Sequence, residues 1–123
     1  MSGAMLLAAC ASFAQVPAAQ SLARGEQAYQ RCYACHARSA DDSGADGPHL
    51  AGVVGRRVAG LEGYPYSDAL RAYGASGAVW SRERLDAFLA DPHEEVPDNA
   101  MGFFGMDDPD ERAALIEYLA LPR

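Results

Sequence analysis

Two cysteines and a histidine lie close together as Cys32-Tyr33-Ala34-Cys35-His36, a C-x-x-C-H pattern. Two thiols about one helical turn apart can each form a thioether bond to a vinyl group of a haem. The histidine beside the second thiol then lies under the ring and can bind the iron. The pattern therefore predicts covalent attachment of one c-type haem through Cys32 and Cys35, with His36 as an iron ligand.

Three other chemistries use closely spaced cysteines, and the sequence supports each of them less well. A zinc site needs two ligands besides the two thiols, and the chain offers only His36, His49 and His93 as histidines. A thioredoxin-like redox pair is expected within a βαβ unit, and no strand pattern is present. A disulfide between the two cysteines would leave His36 without a role.

The haem motif follows a segment with the pattern of a helix from about Leu22 to Cys32. Ser21 is a suitable N-cap for that helix. Four of its residues follow one another at spacings of three and four, which places them on one helical face: Leu22, Gly25, Tyr29 and Cys32. This face is predicted to pack against another part of the fold.

Three further helices are predicted from their start signals. Ser67 precedes a short helix that ends near Tyr73, and Ser81 precedes a helix from Arg82 to Ala90. The last helix begins at Asp108-Pro109, an acidic N-cap followed by proline at the first helical position.

The connections between these helices contain glycine, proline and small polar residues, which are typical of loops. We expect loops over 37–48 and 50–65, and an extended or looped chain from His93 to Phe104. Because no segment alternates with a period of two residues, the sequence predicts an all-α fold with long loops.

Residues 1–20 contain no charged side chain. The apolar stretch over 5–9, with small residues before Gln15, resembles a cleavable export signal. Leu7-Ala8-Ala9-Cys10 also resembles a lipoprotein signal, in which Cys10 would carry a lipid anchor, and an ordered N-terminal helix is a third interpretation. We expect an export or lipoprotein signal remnant over 1–20 and one domain over 21–123, in a periplasmic or otherwise exported protein.

The charges of the chain exclude several kinds of partner. The 17 acidic residues outnumber the 10 basic ones, all of which are arginine, and the formal net charge is -7. An acidic chain without basic runs is a poor ligand for nucleic acids or anionic lipids. No apolar run approaches the roughly 20 residues of a membrane-spanning helix. We expect a monomer without a transmembrane span.

Several short motifs beyond the haem motif occur in the order found in one known family. They are Gly25-x-x-x-Tyr29-x-x-Cys32, Gly47-Pro48-His49-Leu50-x-Gly52, Gly55-Arg56, Tyr64-Pro65-Tyr66-Ser67, Trp80, Val96-Pro97-Asp98-Asn99-Ala100-Met101 and Leu115-Ile116-Glu117-Tyr118-Leu119. In this ordered set the chain resembles the class I cytochromes c of the soluble mitochondrial and bacterial type, from about Gly25 to Leu119.

The resemblance implies a small all-α fold of four to five helices around one covalently bound haem c. It implies that His36 and Met101 are the axial ligands of the iron, although Met106 is a second methionine nearby. It also implies that the Pro48 carbonyl accepts a hydrogen bond from His36 and that Leu50 packs on the haem. Four residues occupy positions near the haem propionates in the family: Arg56, Tyr66, Trp80 and Asn99.

The resemblance implies a one-electron carrier between a respiratory or photosynthetic reductase and a terminal oxidase or another acceptor. With both axial positions filled by the protein, no open position remains for O₂ or peroxide, so an electron-transfer protein is favoured over an enzyme. The lysines that ring the haem edge in the mitochondrial proteins are absent, so we expect reductase and oxidase partners with basic or apolar docking faces. An enzyme or gas sensor with an open iron position and a zinc or structural module are the alternatives.

Covalent attachment is directly testable. Cys32→Ala and Cys35→Ala should each weaken attachment, because each change removes one thioether, and the double change should abolish it. Haem staining on a denaturing gel and acid–acetone extraction measure the attached haem. Complete extraction of haem from the unmodified protein would contradict the prediction.

Overall fold

A computed structural model describes residues 18–42 and 44–122 of the chain. These residues form five helices: α1 Ala18–Tyr29, α2 Asp68–Tyr73, α3 Arg82–Ala90, α4 Pro92–Glu95 and α5 Pro109–Leu119. Within those ranges, extended pairing is limited to one isolated antiparallel bridge between Arg57 and Val79. The predicted all-α fold with long loops is confirmed.

Helices α2, α3 and α5 begin where their capping residues predict. The side chains of Ser67, Ser81 and Asp108 each accept a hydrogen bond from a backbone N–H two or three residues later, at 2.9 to 3.1 Å. These bonds satisfy N–H groups that have no partner inside the helix. The starts are therefore determined by local sequence.

Helix α1 differs from the prediction at both ends. It begins at Ala18, so Ser21 lies inside the helix and is not its N-cap. It ends at Tyr29, and the chain continues through hydrogen-bonded turns into the haem motif. The apolar spacing that suggested a helix to Cys32 is preserved by these turns, because they advance the chain with nearly helical geometry.

The short helix α4 lies in a segment that we expected to be extended or looped. The Asp91 carboxylate accepts a hydrogen bond from the backbone of Glu94 at 3.1 Å, and Pro92 occupies the first turn. Proline is tolerated there because that N–H would be unpaired in any case. A helix of four residues is too short to show a hydrophobic period, so its only local signal is the capping pair Asp91-Pro92.

Helices α1 and α5 cross at Gly25. A Cβ atom at this position would lie 2.3 Å from the Ala114 carbonyl oxygen, so only glycine allows this approach. One turn further on, the rings of Tyr29 and Tyr118 pack with their centroids 5.6 Å apart. The crossing ties the start of the haem motif to the last helix.

The core lies between these two helices, α3 and the loops around Val53 and Val58. Leu115 on α5 is fully buried, and Met106 is almost so. Helix α3 contributes three buried side chains to this core: Leu85, Phe88 and Leu89.

Most of the expected signal segment, residues 1–17, lies outside the described residues, and so does Cys10. None of the five helices is long and apolar enough to cross a membrane.

Candidate haem-binding site

The haem motif forms two consecutive hydrogen-bonded turns at the end of α1. The backbone N–H of Cys32 donates to the Tyr29 carbonyl at 2.8 Å, and the N–H of His36 donates to the Cys32 carbonyl at 2.9 Å. Cys32 is half-buried and Cys35 is exposed. The turns therefore hold two thiols and one imidazole within a short stretch of rigid backbone.

Cys32 and Cys35 are not joined by a disulfide, and the surroundings of Cys32 disfavour a redox role for this thiol. Burial raises the pKa of Cys32 to about 11, although the nearby Arg31 charge lowers it. A thiol that stays protonated at neutral pH is a poor redox nucleophile. Among residues 18–42 and 44–122, no three His, Cys, Asp or Glu side chains converge as a metal site would require.

The imidazole of His36 is oriented by the loop that follows the motif. Its Nδ1 donates a hydrogen bond to the Pro48 carbonyl at 2.7 Å, as the resemblance implies. Because a carbonyl oxygen only accepts, Nδ1 carries the proton, and the lone pair of Nε2 is left for a metal ion.

Gly47 lies directly against this ring. A Cβ at this position would lie 2.7 Å from Cε1 of His36. The N–H of Gly47 also donates to the Cys35 carbonyl at 2.6 Å. The loop therefore packs closely enough to fix both the tautomer and the rotation of the imidazole.

Two further bonds secure the backbone around the histidine. The Tyr29 hydroxyl donates to the His36 carbonyl at 2.7 Å, which links the motif to the last turn of α1. The N–H of Leu50 donates to the Ala37 carbonyl at 2.8 Å. The side chain of Leu50 is half-buried against the core, at the position implied for haem packing.

Arg56 has an unpaired donor that fits an anionic group of a haem. Its Nη1 donates to the carbonyls of His49 at 2.9 Å and Ala51 at 3.3 Å. Its Nε is buried and has no hydrogen-bond partner among the described residues. Burial lowers the pKa of Arg56, whereas the neighbouring Tyr66 raises it. A carboxylate such as a propionate would satisfy this donor.

Tyr66 and Trp80 lie beside Arg56. The backbone N–H of Trp80 donates to the Arg56 carbonyl at 2.7 Å, and both aromatic side chains are buried. The Tyr66 hydroxyl accepts a hydrogen bond from the N–H of Leu61 at 3.1 Å, and its own proton is still available as a donor. The fold thus brings together three of the four residues expected near the propionates.

Asn99, the fourth, makes a different set of contacts. Its Nδ2 donates to the carbonyls of Pro92 and Val96, both at 2.9 Å. Its Oδ1 accepts a hydrogen bond from the N–H of Met101 at 2.8 Å. Both amide hydrogens are therefore engaged by backbone carbonyls, and the amide oxygen is bonded to the backbone of Met101.

The two candidate methionines have different surroundings. Met101 is half-buried at the edge of the core. Met106 is only 1% exposed. Its N–H donates to the Leu89 carbonyl at 2.9 Å, and its carbonyl accepts from Nη1 of Arg112 at 2.8 Å. Of the two candidates, Met106 is therefore part of the packed core, and Met101 is the more accessible one.

His93 is a site residue that the sequence did not indicate. Its Nε2 donates to the Met101 carbonyl at 2.8 Å, and its ring stacks on Phe104 with centroids 5.2 Å apart. We expected a looped chain here, and neither contact has a local sequence signal. The Pro92 start of α4 is the nearest clue, because it fixes the backbone that carries His93.

Comparison with known proteins agrees with this geometry. The family model described as "Cytochrome c" matches residues 22–121. The chain is 40% identical over 98 residues to "Cytochrome c2" of Agrobacterium tumefaciens, covering 80% of this chain and 88% of that protein. It is 43% identical over 101 residues to "Cytochrome c-type cyt cy" of Rhodobacter capsulatus, covering 80% of this chain and 48% of that protein. The solved structure of cytochrome cH from Methylobacterium extorquens matches with a TM-score of 0.69 and 41% identity, covering 80% of this chain and 95% of that one.

The Tyr29 hydrogen bond can be tested by removing one hydroxyl. Tyr29→Phe should lower the free energy of unfolding by about 0.5–1.5 kcal/mol, the usual net value of one hydrogen bond. Tyr33→Phe is the matched control, because the Tyr33 side chain is 63% exposed. Denaturant titration measures both. Equal effects of the two changes would contradict a role for the Tyr29 bond.

Proposed function

The chain belongs to the cytochrome c family, whose members carry electrons on one covalently attached haem c, and we propose that His36 and Met101 are its axial ligands. In this proposal Cys32 and Cys35 form the thioether bonds. Arg56, Tyr66 and Trp80 would hold the propionates, and Pro48 and Leu50 would line the haem pocket.

The observation that carries the ligand assignment is the arrangement of His36. Its Nδ1 proton is donated to Pro48 at 2.7 Å, which leaves Nε2 available to the iron. Of the two methionines in the later loop, Met101 is the half-buried one and Met106 is enclosed by the core. These differences support His36 and Met101 as the ligand pair.

The haem, when bound, supplies an iron centre that gains and loses one electron. A thioether ligand raises the reduction potential relative to a second histidine, and an apolar surrounding acts in the same direction. The residues of this chain hold the imidazole in one tautomer and one rotation, and keep the methionine on a short braced loop. Such a rigid ligand set needs little rearrangement when the electron arrives or leaves.

We infer that the protein transfers electrons and performs no substrate chemistry. With His36 and Met101 both bound, no coordination position is open to O₂ or peroxide. An enzyme or gas sensor would need an open position, and the three hydrogen bonds of Asn99 oppose loss of Met101 from its place.

The partner proteins are redox proteins, and we propose that they present basic or apolar docking faces. From 91 to 107, every charged side chain is acidic, and all of them are exposed: Asp91, Glu94, Glu95, Asp98 and Asp107. In the same loop, Phe104 is 80% exposed. A loop that exposes carboxylates and one aromatic side chain is complementary to a partner face with basic and apolar residues.

The two arginines nearest the haem motif in the sequence both contact α5, where their positive charges are engaged. Arg31 forms an ion pair with Glu111. Arg38 donates to the Tyr118 carbonyl at 3.2 Å and lies over the Tyr118 ring. Both guanidinium groups are committed to α5, which supports an acidic rather than a basic approach surface.

We further propose that the mature protein is a monomer that works outside the cytoplasm, after export directed by the segment 1–20. In the lipoprotein alternative, a lipid on Cys10 would hold the protein at the membrane. Tethering would raise its effective concentration near membrane partners and relax the need for long-range attraction.

Substitution of each methionine tests the ligand assignment. Met101→Ala should abolish the absorption band of sulfur–iron ligation in the oxidised protein, lower the potential and admit cyanide. Met106→Ala, the matched control in the same loop, should keep the band and lower the free energy of unfolding by about 2–5 kcal/mol, the cost of a core cavity. A band that survives Met101→Ala and disappears in Met106→Ala would reverse the assignment.

The salt dependence of electron transfer tests the partner proposal. The reaction with an acidic mitochondrial-type oxidase should be slow at low salt and faster as salt screens the repulsion. Stopped-flow rates against ionic strength measure this, and a rate that falls with salt would contradict it. Glu94→Gln should accelerate the low-salt reaction more than Glu26→Gln, which changes the net charge equally on α1. Equal effects would assign the repulsion to net charge rather than to the loop.

A further inference from the structure

The backbone of Met101 is held by side chains at both of its polar groups. Its N–H donates to Oδ1 of Asn99 at 2.8 Å, and its carbonyl accepts from Nε2 of His93 at 2.8 Å. Both holding side chains belong to the segment that starts at α4. Met101 therefore takes its position from that segment rather than from a helix or strand of its own.

Asn99 is the link between Met101 and α4. Its Nδ2 donates to the Pro92 carbonyl, which also accepts the N–H of Val96 at the end of the helix. It donates as well to the Val96 carbonyl, across the turn in which Asp98 has a φ of 65°. Val96 is 2% exposed and Pro92 is buried, so the amide joins Met101 to backbone anchored in the core.

We propose that Asn99 is a positioning residue for the sixth ligand, holding the Met101 backbone so that its sulfur is presented to the iron. The proposal rests on the ligand assignment made above, since Asn99 acts through Met101 and not on the haem. His93 also holds Met101, because its Nε2 donates a hydrogen bond to the Met101 carbonyl. The His93 ring is kept in place by stacking on Phe104.

The side-chain chemistry explains why asparagine suits this position. Three bonds are made, two by donation and one by acceptance, and a carboxamide offers both functions on one planar group. Aspartate would keep the acceptor for Met101 but would turn a second oxygen toward the two carbonyls. Threonine or serine has one donor and cannot satisfy both carbonyls. Alanine removes all three bonds.

The test compares Asn99→Ala with the unmodified holoprotein. Loss of the three bonds should weaken sulfur–iron ligation, so that cyanide binds at least about tenfold more tightly, equivalent to about 1.4 kcal/mol. The absorption band of sulfur–iron ligation should weaken in parallel. In the reduced protein, amide hydrogen exchange at Met101 should accelerate at least about tenfold, because its N–H has lost its acceptor.

Two control variants separate positioning from general stability. Met106→Ala destabilises the core near the same loop and should leave cyanide affinity and Met101 exchange close to the unmodified values. Asp98→Asn changes the exposed neighbour of Asn99 and keeps a residue that tolerates positive φ, so it should also leave both values unchanged. If Asn99→Ala does not fold, Asn99→Asp carries the test. It loses the two donors to the Pro92 and Val96 carbonyls, so cyanide should bind more tightly, and it keeps the acceptor for the Met101 N–H.

The proposal is overturned if the Asn99 variants keep the cyanide affinity and amide protection of the unmodified protein. It is also overturned if Met106→Ala shifts both quantities as far as Asn99→Ala, because Asn99 would then contribute stability alone. These outcomes differ from failure of the ligand assignment itself, in which Met101→Ala would leave the sulfur–iron band in place.

Discussion

The hydrogen bond from Nδ1 of His36 to the Pro48 carbonyl is the interaction on which the site depends. It selects the tautomer that leaves Nε2 for the iron, and it joins the haem motif to the loop that follows. Gly47 makes this bond possible, because any side chain there would overlap the imidazole. The position of the histidine is thus set by a backbone carbonyl, which no substitution of a side chain can remove directly.

The two sides of the iron site are built in different ways. On the histidine side, covalent bonds to Cys32 and Cys35 would hold the haem next to His36, and the backbone turns are anchored on α1. On the methionine side, one loop supplies Met101, and its place depends on hydrogen bonds from Asn99 and His93. In the proposed ligand assignment, single side-chain changes on the second side would therefore alter ligation, and with it the potential.

The loop that carries Met101 is also acidic. The carboxylates between 91 and 107 are exposed, as is Phe104 in the same loop, whereas Arg31 and Arg38 are engaged with α5. In the proposed ligand assignment, the loop that carries Met101 to the iron is also the loop that carries these acidic side chains. A change in this stretch of chain would then affect both ligation and the charge that a partner meets.

The sequence by itself determined those features that depend on residues a few positions apart. The C-x-x-C-H spacing indicated the haem, and Ser67, Ser81 and Asp108 marked helix starts, because capping involves residues two or three positions apart. The ordered family motifs added the expected ligand pair and the group formed by Arg56 with its aromatic neighbours.

Tertiary structure decided the rest, because it depends on contacts between residues that packing alone brings together. The burial of Met106 follows from its fit between α3 and α5, which no local pattern records. The contacts of Asn99 and His93 with Met101 require α4, a helix too short to show a period. The sequence could place Asn99 only at a family position, whereas the fold determines which carbonyls lie within reach of its amide.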